Sequence, residues 1–380
     1  MDFGFSDEHE AFRQTLQRFF EKESPTEVVQ ELDRTETFPR ETYAKMAALG
    51  LCGMTIPEEY GGTPLDEIAK CIVLEEMQRA AGHLCFAFMP GIGFCAKGIA
   101  QFGTDQQKER YLPGLADGSI RFAMALTEPQ SGSDLSSLAT HARPTSDGWI
   151  VNGQKVFSTG ADSADYLFTM VRTDRDASGH RGLSVLAIPR DSPGVTIRPL
   201  RKLAAQAVHT CEIFFEDVEV ADDAMVGEPG SGARMVFSLL DAERILVGAQ
   251  GCGIAMGALD VAVRYAGERK QFGQPIIDFQ AVGHLIADMA MDLEAARMVV
   301  YKAAWQLEKG LPVRKEAAMA KIVGSEAGTR CALRGMQVLG GYSYMVEYPM
   351  ERWFRESKLY EIAGGSNQIL RNVLVDQLRL

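Results

Sequence analysis

Hydrophobic and polar residues follow three successive patterns along this chain. Over residues 1–120, apolar side chains recur every three or four positions, as in Leu16, Phe19 and Phe20, which predicts helices. Ser6 and the acidic residues after it predict a capped start for the first helix. Further helices are predicted for residues 40–50 and after Pro64.

Residues 121–226 change to the alternation that is typical of half-buried strands. In "WIVNGQKVFS", Asn152-Gly153 between two apolar runs predicts a β-hairpin. Further strands are predicted at "DYLFTMV", "LSVLAIP" and "CEIFFEDVEV", with a polar hairpin loop at 172–182. From residue 227 the helical period returns, with long helices near 231–264, 276–309 and 313–340. The chain is therefore predicted to be α+β, with helical, β-sheet and helical domains over 1–120, 121–226 and 227–380.

Composition narrows the class of protein. The net charge of −12 argues against a nucleic-acid-binding groove. Seven scattered cysteines without C-x-x-C spacing favour buried thiols in a reducing compartment. No signal-peptide h-region is visible and no run approaches the length of an apolar membrane span, so a cytoplasmic enzyme that does not enter a membrane is predicted.

Common catalytic motifs are missing from the sequence. There is no metal signature, P-loop or nucleophile elbow. "GCGIAMG" (251–257) has the wrong spacing for a dinucleotide fingerprint and falls inside a predicted helix, so its small residues indicate close helix packing. His209 and His284 are isolated and are interpreted as structural.

Four other stretches carry the chemistry together. They are "ALTEPQSGSD" (125–134), "RKQFGQPIIDFQ" (269–280), "QVLGGYSYMVEYPMERWFRES" (337–357) and "KLYEIAGGSNQILR" (358–371). In this order, across an α-β-α chain, they resemble the acyl-CoA dehydrogenase family from "IPEEYGG" (56–62) to "QILR" (368–371). The resemblance implies a C-terminal four-helix bundle, FAD as cofactor, a homotetramer, and electron-transferring flavoprotein as electron acceptor. It also implies oxidation of an acyl-CoA thioester to the trans-2-enoyl-CoA.

The resemblance assigns FAD-binding roles position by position. The 124–133 loop is expected to wrap the flavin, and Phe157-Ser158-Thr159 replaces the family's W-I-T wall, with less apolar surface at Ser158. Arg269 and its neighbours are expected to bind FAD across a subunit interface. The implied cofactor-binding residues are Met124, Leu126, Thr127, Gly132, Ser133, Phe157, Ser158, Thr159, Arg269, Phe272, Gln280, Gln337, Val338, Gly340, Gly341, Ser366 and Gln368.

The position of the catalytic base departs from the commonest family pattern. Counting from Arg355 to Arg371 places Gly364 where the base usually stands, and Glu361 lies three residues too early. Either the enzyme is inactive, or Glu361 reaches in, or the base has moved. "LLDAERILVG" (239–248) resembles the isovaleryl-CoA dehydrogenase type, whose base lies on the long C-terminal-domain helix. We therefore expect Glu243 to be the base, Gly364 to polarise the thioester carbonyl through its N–H, and Glu361 to be structural.

Substrate residues follow from the same resemblance. Asp241 and Arg244 are expected to contact the CoA arm, and Ser133 the pantetheine or phosphate region. The pocket floor matches "FAFMPGIGF" (86–94), where Phe86, Met89, Pro90 and Phe94 suggest a short or branched acyl chain. No arginine stands in this segment, which disfavours a glutaryl-type substrate.

Other functions remain open on the same scaffold. Crotonobetainyl-CoA reductase-like proteins and acyl-carrier-protein dehydrogenases also resemble this chain. A non-catalytic FAD-binding subunit is a third possibility, and it predicts a missing base.

Overall fold

Residues 4–177 and 179–379 are described by a computed structural model. They divide into two compact units. The first contains the described residues of Met1–Arg34, Asp66–Cys85 and Asp241–Leu380, and the second contains Thr35–Leu65 and Phe86–Leu240. We describe each unit by itself.

Helices form both ends of the chain. The N-terminal helices are α1 (Asp7–Glu23), α2 (Thr26–Arg34), α3 (Arg40–Ala48), α4 (Glu67–Ala80), α5 (Gly82–Phe88), α6 (Lys97–Phe102) and α7 (Asp105–Ala116). The C-terminal helices are α8 (Gly232–Glu268), α9 (Gln280–Glu308), α10 (Arg314–Leu339), α11 (Met350–Ile362) and α12 (Asn367–Leu378). The helices predicted from apolar periodicity are confirmed. Ser6 caps α1 by accepting a hydrogen bond from the His9 amide at 3.2 Å, as its sequence context indicates.

A mixed sheet occupies the middle of the chain. Its strands are β1 (Phe122–Ala125), β2 (His141–Pro144), β3 (Gly148–Thr159), β4 (Tyr166–Arg172), β5 (Leu183–Pro189), β6 (Val195–Leu200), β7 (Thr210–Ala221) and β8 (Met225–Val226). The strand order is β6-β7-β3-β2-β4-β5-β8, and β1 pairs with β4 in parallel. Val151, Leu167, Val171 and Ile213 are among the fully buried residues of its core. A separate short pair, β9 (Lys270–Gln271) and β10 (Gln274–Pro275), follows α8. The predicted three-part fold, helical then sheet then helical, is confirmed.

The predicted hairpin at Asn152-Gly153 is wrong. β3 runs through both residues, and its pairing with β7 shifts register between Val151 and Gly153. The Asn152 side chain donates to Asp217 at 3.0 Å and accepts from the Asp217 amide at 2.9 Å, which ties the irregular step to the neighbouring strand. Gly153 has φ +144°, and a Cβ there would lie 2.5 Å from the Thr140 hydroxyl. The glycine is therefore needed at a β-bulge, where the neighbouring Thr140 leaves no room for a side chain, and it does not form a turn. The other three predicted strands are confirmed. The predicted loop at 172–182 joins β4 to β5 and includes Ser178, which lies outside the described residues.

Within the first unit, the helices approach one another closely through glycine. In "GCGIAMG", a Cβ on Gly251 would lie 2.2 Å from the carbonyl oxygen of Gly324 on α10, and one on Gly257 would lie 2.5 Å from the Trp353 ring. This confirms that the motif is a packing surface inside α8. α10 in turn packs against α9, α11 and α12.

Two segments are apolar enough, by length and composition alone, to cross a membrane. They are Gly82–Phe102 and Gly232–Glu268, each of which contains an 18-residue window, with mean hydropathies of 1.3 and 1.6 respectively. However, 67% and 78% of these windows are buried inside the protein, as in the core helices of soluble proteins. The seven cysteines, all among the described residues, are buried and form no disulfide, as predicted.

Candidate active site

The predicted base, Glu243, lies on α8 among packed neighbours in the first unit. Across residues 4–177 and 179–379, its carboxyl has no hydrogen bond or ion pair, although part of the residue keeps contact with solvent. Burial raises the pKa of Glu243 from an ordinary 4.5 to about 7, against the opposing positive charges of Arg244 and Lys321. A carboxylate with a pKa near neutrality is suited to accept a proton from carbon.

A turn between α11 and α12 packs against the same part of α8. Gly364 and Gly365 adopt φ +67° and +89°, which glycine allows at little cost. A Cβ on Gly364 would lie 3.7 Å from Val247, one helical turn beyond Glu243. Across the part of the chain that the structure describes, the Gly364 amide donates to no protein acceptor. The turn therefore offers an unused backbone donor on the unit that carries Glu243.

Two side chains predicted to contact CoA, Asp241 and Arg244, form a pair on α8 beside Glu243. The Arg244 guanidinium donates to Asp241 at 3.0 Å, and its Nε lies 3.5 Å from the carbonyl oxygen of Gly364. Arg244 is buried, whereas Asp241 is half-buried. The pair links α8 to the glycine turn, so these residues have a structural contact besides the role that was predicted for them.

Glu361 has a different environment from Glu243. Its carboxylate accepts a hydrogen bond from Lys358 at 2.6 Å near the end of α11. Burial alone would raise the pKa of Glu361, but hydrogen bonds from Lys358 and Thr329 outweigh it and hold the pKa below its ordinary value. A carboxylate held ionised by a lysine is a weak proton acceptor, and this supports a structural role.

In the second unit, a loop after β1 carries the residues predicted to wrap a flavin. Glu128 anchors this loop: its carboxylate accepts from Lys155 at 2.8 Å and from the amides of Ala139 and Thr140 at 2.7 and 2.9 Å. Lys155 also donates to the carbonyl of Leu126 at 3.1 Å. Met124, Leu126 and Thr127 are half-buried beside this anchor, while Gly132 and Ser133 are exposed.

The end of β3 presents an aromatic ring to solvent. Phe157 is 67% exposed and has φ +59°, at a second register shift between β3 and β7. Ser158 points the other way and is buried, so its side chain does not share the exposed surface of Phe157. The Thr159 hydroxyl lies 3.3 Å from that of Thr210.

The remaining predicted FAD residues fall into two groups in the first unit. Arg269, Val338, Gly340 and Gly341 line one groove of about 460 Å³ together with Tyr265 and Tyr342. Phe272, Gln280 and Gln337 are exposed, and Phe272 is 95% exposed at the tip of the β9–β10 hairpin. Ser366 and Gln368 lie apart from the lining of that groove, at the start of α12, where the Ser366 hydroxyl accepts from the Ile369 amide at 3.3 Å.

The predicted pocket floor has an unusual backbone. Met89–Ala96 forms a π-helix between α5 and α6, a conformation that is frequent at functional sites. Phe86, Met89 and Pro90 are half-buried, and the Phe86 ring lies 5.1 Å from the Lys202 ammonium. Phe94 is buried against Phe168 in the core.

Comparison with known proteins decides the family. Three family models match the chain. They describe the N-terminal, middle and C-terminal domains of acyl-CoA dehydrogenase, and they match residues 6–119, 123–218 and 230–378 respectively. The chain belongs to the acyl-CoA dehydrogenase family.

Individual members are similar to the chain over its whole length. The probable acyl-CoA dehydrogenase YngJ of Bacillus subtilis is 38% identical, with 100% of both chains covered. Glutaryl-CoA dehydrogenase of Desulfococcus multivorans is 37% identical, covering 100% of this chain and 98% of its own. The solved structure of butyryl-CoA dehydrogenase from Megasphaera elsdenii has a TM-score of 0.94 at 35% identity, with 100% of both chains covered. The predicted enzyme class, an FAD-dependent oxidoreductase, is confirmed.

The acyl-CoA dehydrogenase chain has features that fit FAD in each unit. In the second unit, the exposed Phe157 ring offers a flat apolar face. In the first unit, a Cβ on Gly340 or Gly341 would meet nothing within 4 Å, so the groove is open at its glycines. Arg269 beside this groove supplies a positive charge for phosphate.

Sequence reasoning missed two site features. Lys321 is fully buried on α10 and donates to the glycine turn, and the Glu128–Lys155 ion pair anchors the loop after β1. The only sequence signal for Lys321 is a lone lysine within a run of small residues, "AAMAKIVGSEAG". Such a lysine is more costly to bury than its neighbours and therefore marks a specific partner.

Proposed function

We propose that this acyl-CoA dehydrogenase desaturates a short or branched acyl-CoA, with Glu243 as the base. The observation that carries the proposal is a carboxyl of pKa about 7 that has no partner among the described residues, on the unit that also presents the Gly364 amide, likewise without an acceptor there. The alternative carboxylate, Glu361, is held by Lys358.

The chain's own groups divide the work of the reaction. The Glu243 carboxylate accepts the proton from the α-carbon as the α C–H bond breaks. The Gly364 N–H donates a hydrogen bond to the thioester oxygen, which stabilises the negative charge that develops there. Arg244 and Asp241 hold the CoA arm. When bound, FAD would be the oxidant, accepting hydride from the β-carbon.

The FAD-binding residues of this proposal are given for each unit by itself. Thr127, Ser133, Phe157 and Thr159 contribute from the second unit. The residues from the first unit are Arg269, Phe272, Gln280, Gln337, Val338, Gly340, Gly341, Ser366 and Gln368. A homotetramer, electron-transferring flavoprotein as acceptor and a cytoplasmic location complete the proposal. Gel filtration of FAD-saturated protein tests the first of these, and a monomer would count against it.

The acyl-chain preference rests on the half-buried floor at Phe86, Met89 and Pro90. These bulky apolar groups favour a small acyl group over a long straight one. The similarity to a glutaryl-CoA dehydrogenase makes glutaryl-CoA an informative member of the substrate panel.

Anaerobic mixing with a panel of acyl-CoAs tests the proposal, with flavin absorbance as the signal. Butyryl-, isobutyryl-, isovaleryl-, 2-methylbutyryl-, octanoyl- and glutaryl-CoA form the panel. A short or branched acyl-CoA is expected to bleach the flavin of the wild type rapidly. The Glu243→Gln variant is expected to retain FAD but not to be bleached. Glu361→Gln is the matched control and should bleach at close to the wild-type rate. Activity in Glu243→Gln with loss in Glu361→Gln would reverse the assignment.

A further inference from the structure

Lys321 occupies a position where a lysine is costly. Its side chain is fully buried on α10. The ammonium donates to the carbonyl oxygen of Gly365 at 2.9 Å and to the side-chain oxygen of Asn367 at 2.9 Å. The first acceptor lies in the turn that carries Gly364, and the second is the first residue of α12. A buried ammonium persists only where its partners repay its desolvation, so this lysine has a specific local task.

The glycine turn is held by two cations from two helices. Arg244 on α8 lies 3.5 Å from the carbonyl oxygen of Gly364, and Lys321 on α10 binds the next carbonyl, that of Gly365. Because each peptide group is planar, holding consecutive carbonyls fixes the backbone on the C-terminal side of the Gly364 amide. Lys321 therefore helps to fix the backbone that directly follows the Gly364 amide.

The charges around Lys321 come from three helices. It interacts electrostatically with Glu361 of α11, with Glu243 and Arg244 of α8, and with Glu326 of α10. Burial lowers the pKa of Lys321 to about 8, with the carboxylates of Glu361 and Glu243 opposing that fall. At neutral pH most of the side chain is therefore a cation. Glu243 in turn is faced by the positive charges of Arg244 and Lys321.

Resting on the proposed role of Glu243 as the base, we propose that Lys321 is a positioning residue for proton abstraction. It holds the Gly364–Gly365 turn in place, and its positive charge favours the ionised form of Glu243. The same side chain thereby prepares the proton acceptor and the backbone donor.

The test compares the pH dependence of anaerobic flavin reduction in wild type and Lys321→Met, at saturating substrate. Loss of the facing cation should raise the midpoint of the profile by about one pH unit. Below the midpoint, the rate should fall about tenfold. Lys321→Arg keeps the charge and should return the midpoint towards wild type. Lys358→Met removes a lysine that is 58% exposed, and it should leave the midpoint unchanged.

A second measurement follows Glu243 without turnover. The infrared band of a protonated carboxylic acid, taken as wild type minus Glu243→Gln across pH, reports the ionisation of this residue. The same difference is then taken in the Lys321→Met background, where its midpoint should rise. An unchanged midpoint in both measurements overturns the inference. If Glu243→Gln reduces flavin normally, the base assignment fails instead, so the two failures are distinguishable.

Discussion

Replacing Glu243 by glutamine should stabilise the folded protein, and the gain should depend on pH. The pKa of this carboxyl is about 7 in the folded state against 4.5 ordinarily. The difference between these two pKa values corresponds to about 3 kcal/mol in the free energy of unfolding, at about 1.4 kcal/mol per pH unit. Because Arg244 and Lys321 lose a counter-charge in the variant, we expect a gain of about 1 to 3 kcal/mol.

The sign follows from the raised pKa. Stability contributed by the protonated carboxyl is fully present below 4.5 and is lost as the pH rises through about 7. The wild type therefore loses stability over this window, whereas Glu243→Gln does not. The two proteins should be equally stable below pH 4.5 and differ most above pH 7. Urea unfolding of the FAD-saturated proteins at a series of pH values measures the difference.

A carboxylate of opposite character is the control. The pKa of Glu361 is lowered, so its ionised form contributes stability above its ordinary pKa and loses it on acidification. Glu361→Gln should therefore be less stable than wild type at high pH. If Glu243→Gln shows no gain above pH 7, the carboxyl is not desolvated in the folded protein and the reasoning about the base is wrong.

Two further predictions concern packing and the loop after β1. Gly251→Val should destabilise the protein by several kcal/mol, since a Cβ there lies 2.2 Å from the Gly324 carbonyl. Gly267→Ala on the same helix meets nothing within 4 Å and should stabilise it by about 0.5 kcal/mol; thermal unfolding compares the two, and equal effects would contradict the packing argument. Glu128→Gln leaves the buried Lys155 without its counter-ion and should cost about 3 kcal/mol in urea unfolding. It should also weaken FAD binding, measured by flavin fluorescence, and undiminished affinity would show that the pair does not hold the loop.

Local sequence signals predicted features whose causes are local. The cap at Ser6 succeeded because its acceptor and donor lie three residues apart. The hairpin at Asn152-Gly153 failed because the deciding contacts come from Asp217 and Thr140, which the local pattern does not contain. Non-local contacts therefore overrode a turn signal that is usually dependable.

The candidate site divides in the same way. Glu243 was predicted to be the base from a family pattern, which carries long-range information in a short motif, and this assignment stays a prediction. Lys321 was missed because its role depends on the Gly365 carbonyl, 44 residues away in sequence. A lysine can take such a role only when folding brings a carbonyl into contact with it and excludes water from both groups.

The left-handed turn at Gly364 also bears on how the base changes position during evolution. The family resemblance implies that members with the base in this loop carry a glutamate where this chain has Gly364. There is space for a Cβ here, because Val247 is 3.7 Å away, but φ is +67°. Forcing an L-residue into this conformation costs about 1 to 2 kcal/mol. That cost is small beside the about 5 to 15 kcal/mol that stabilises a typical fold. On the proposed assignment of Glu243 as the base, a chain bearing both carboxylates is therefore stable enough to fold, which offers a route by which one base can replace the other.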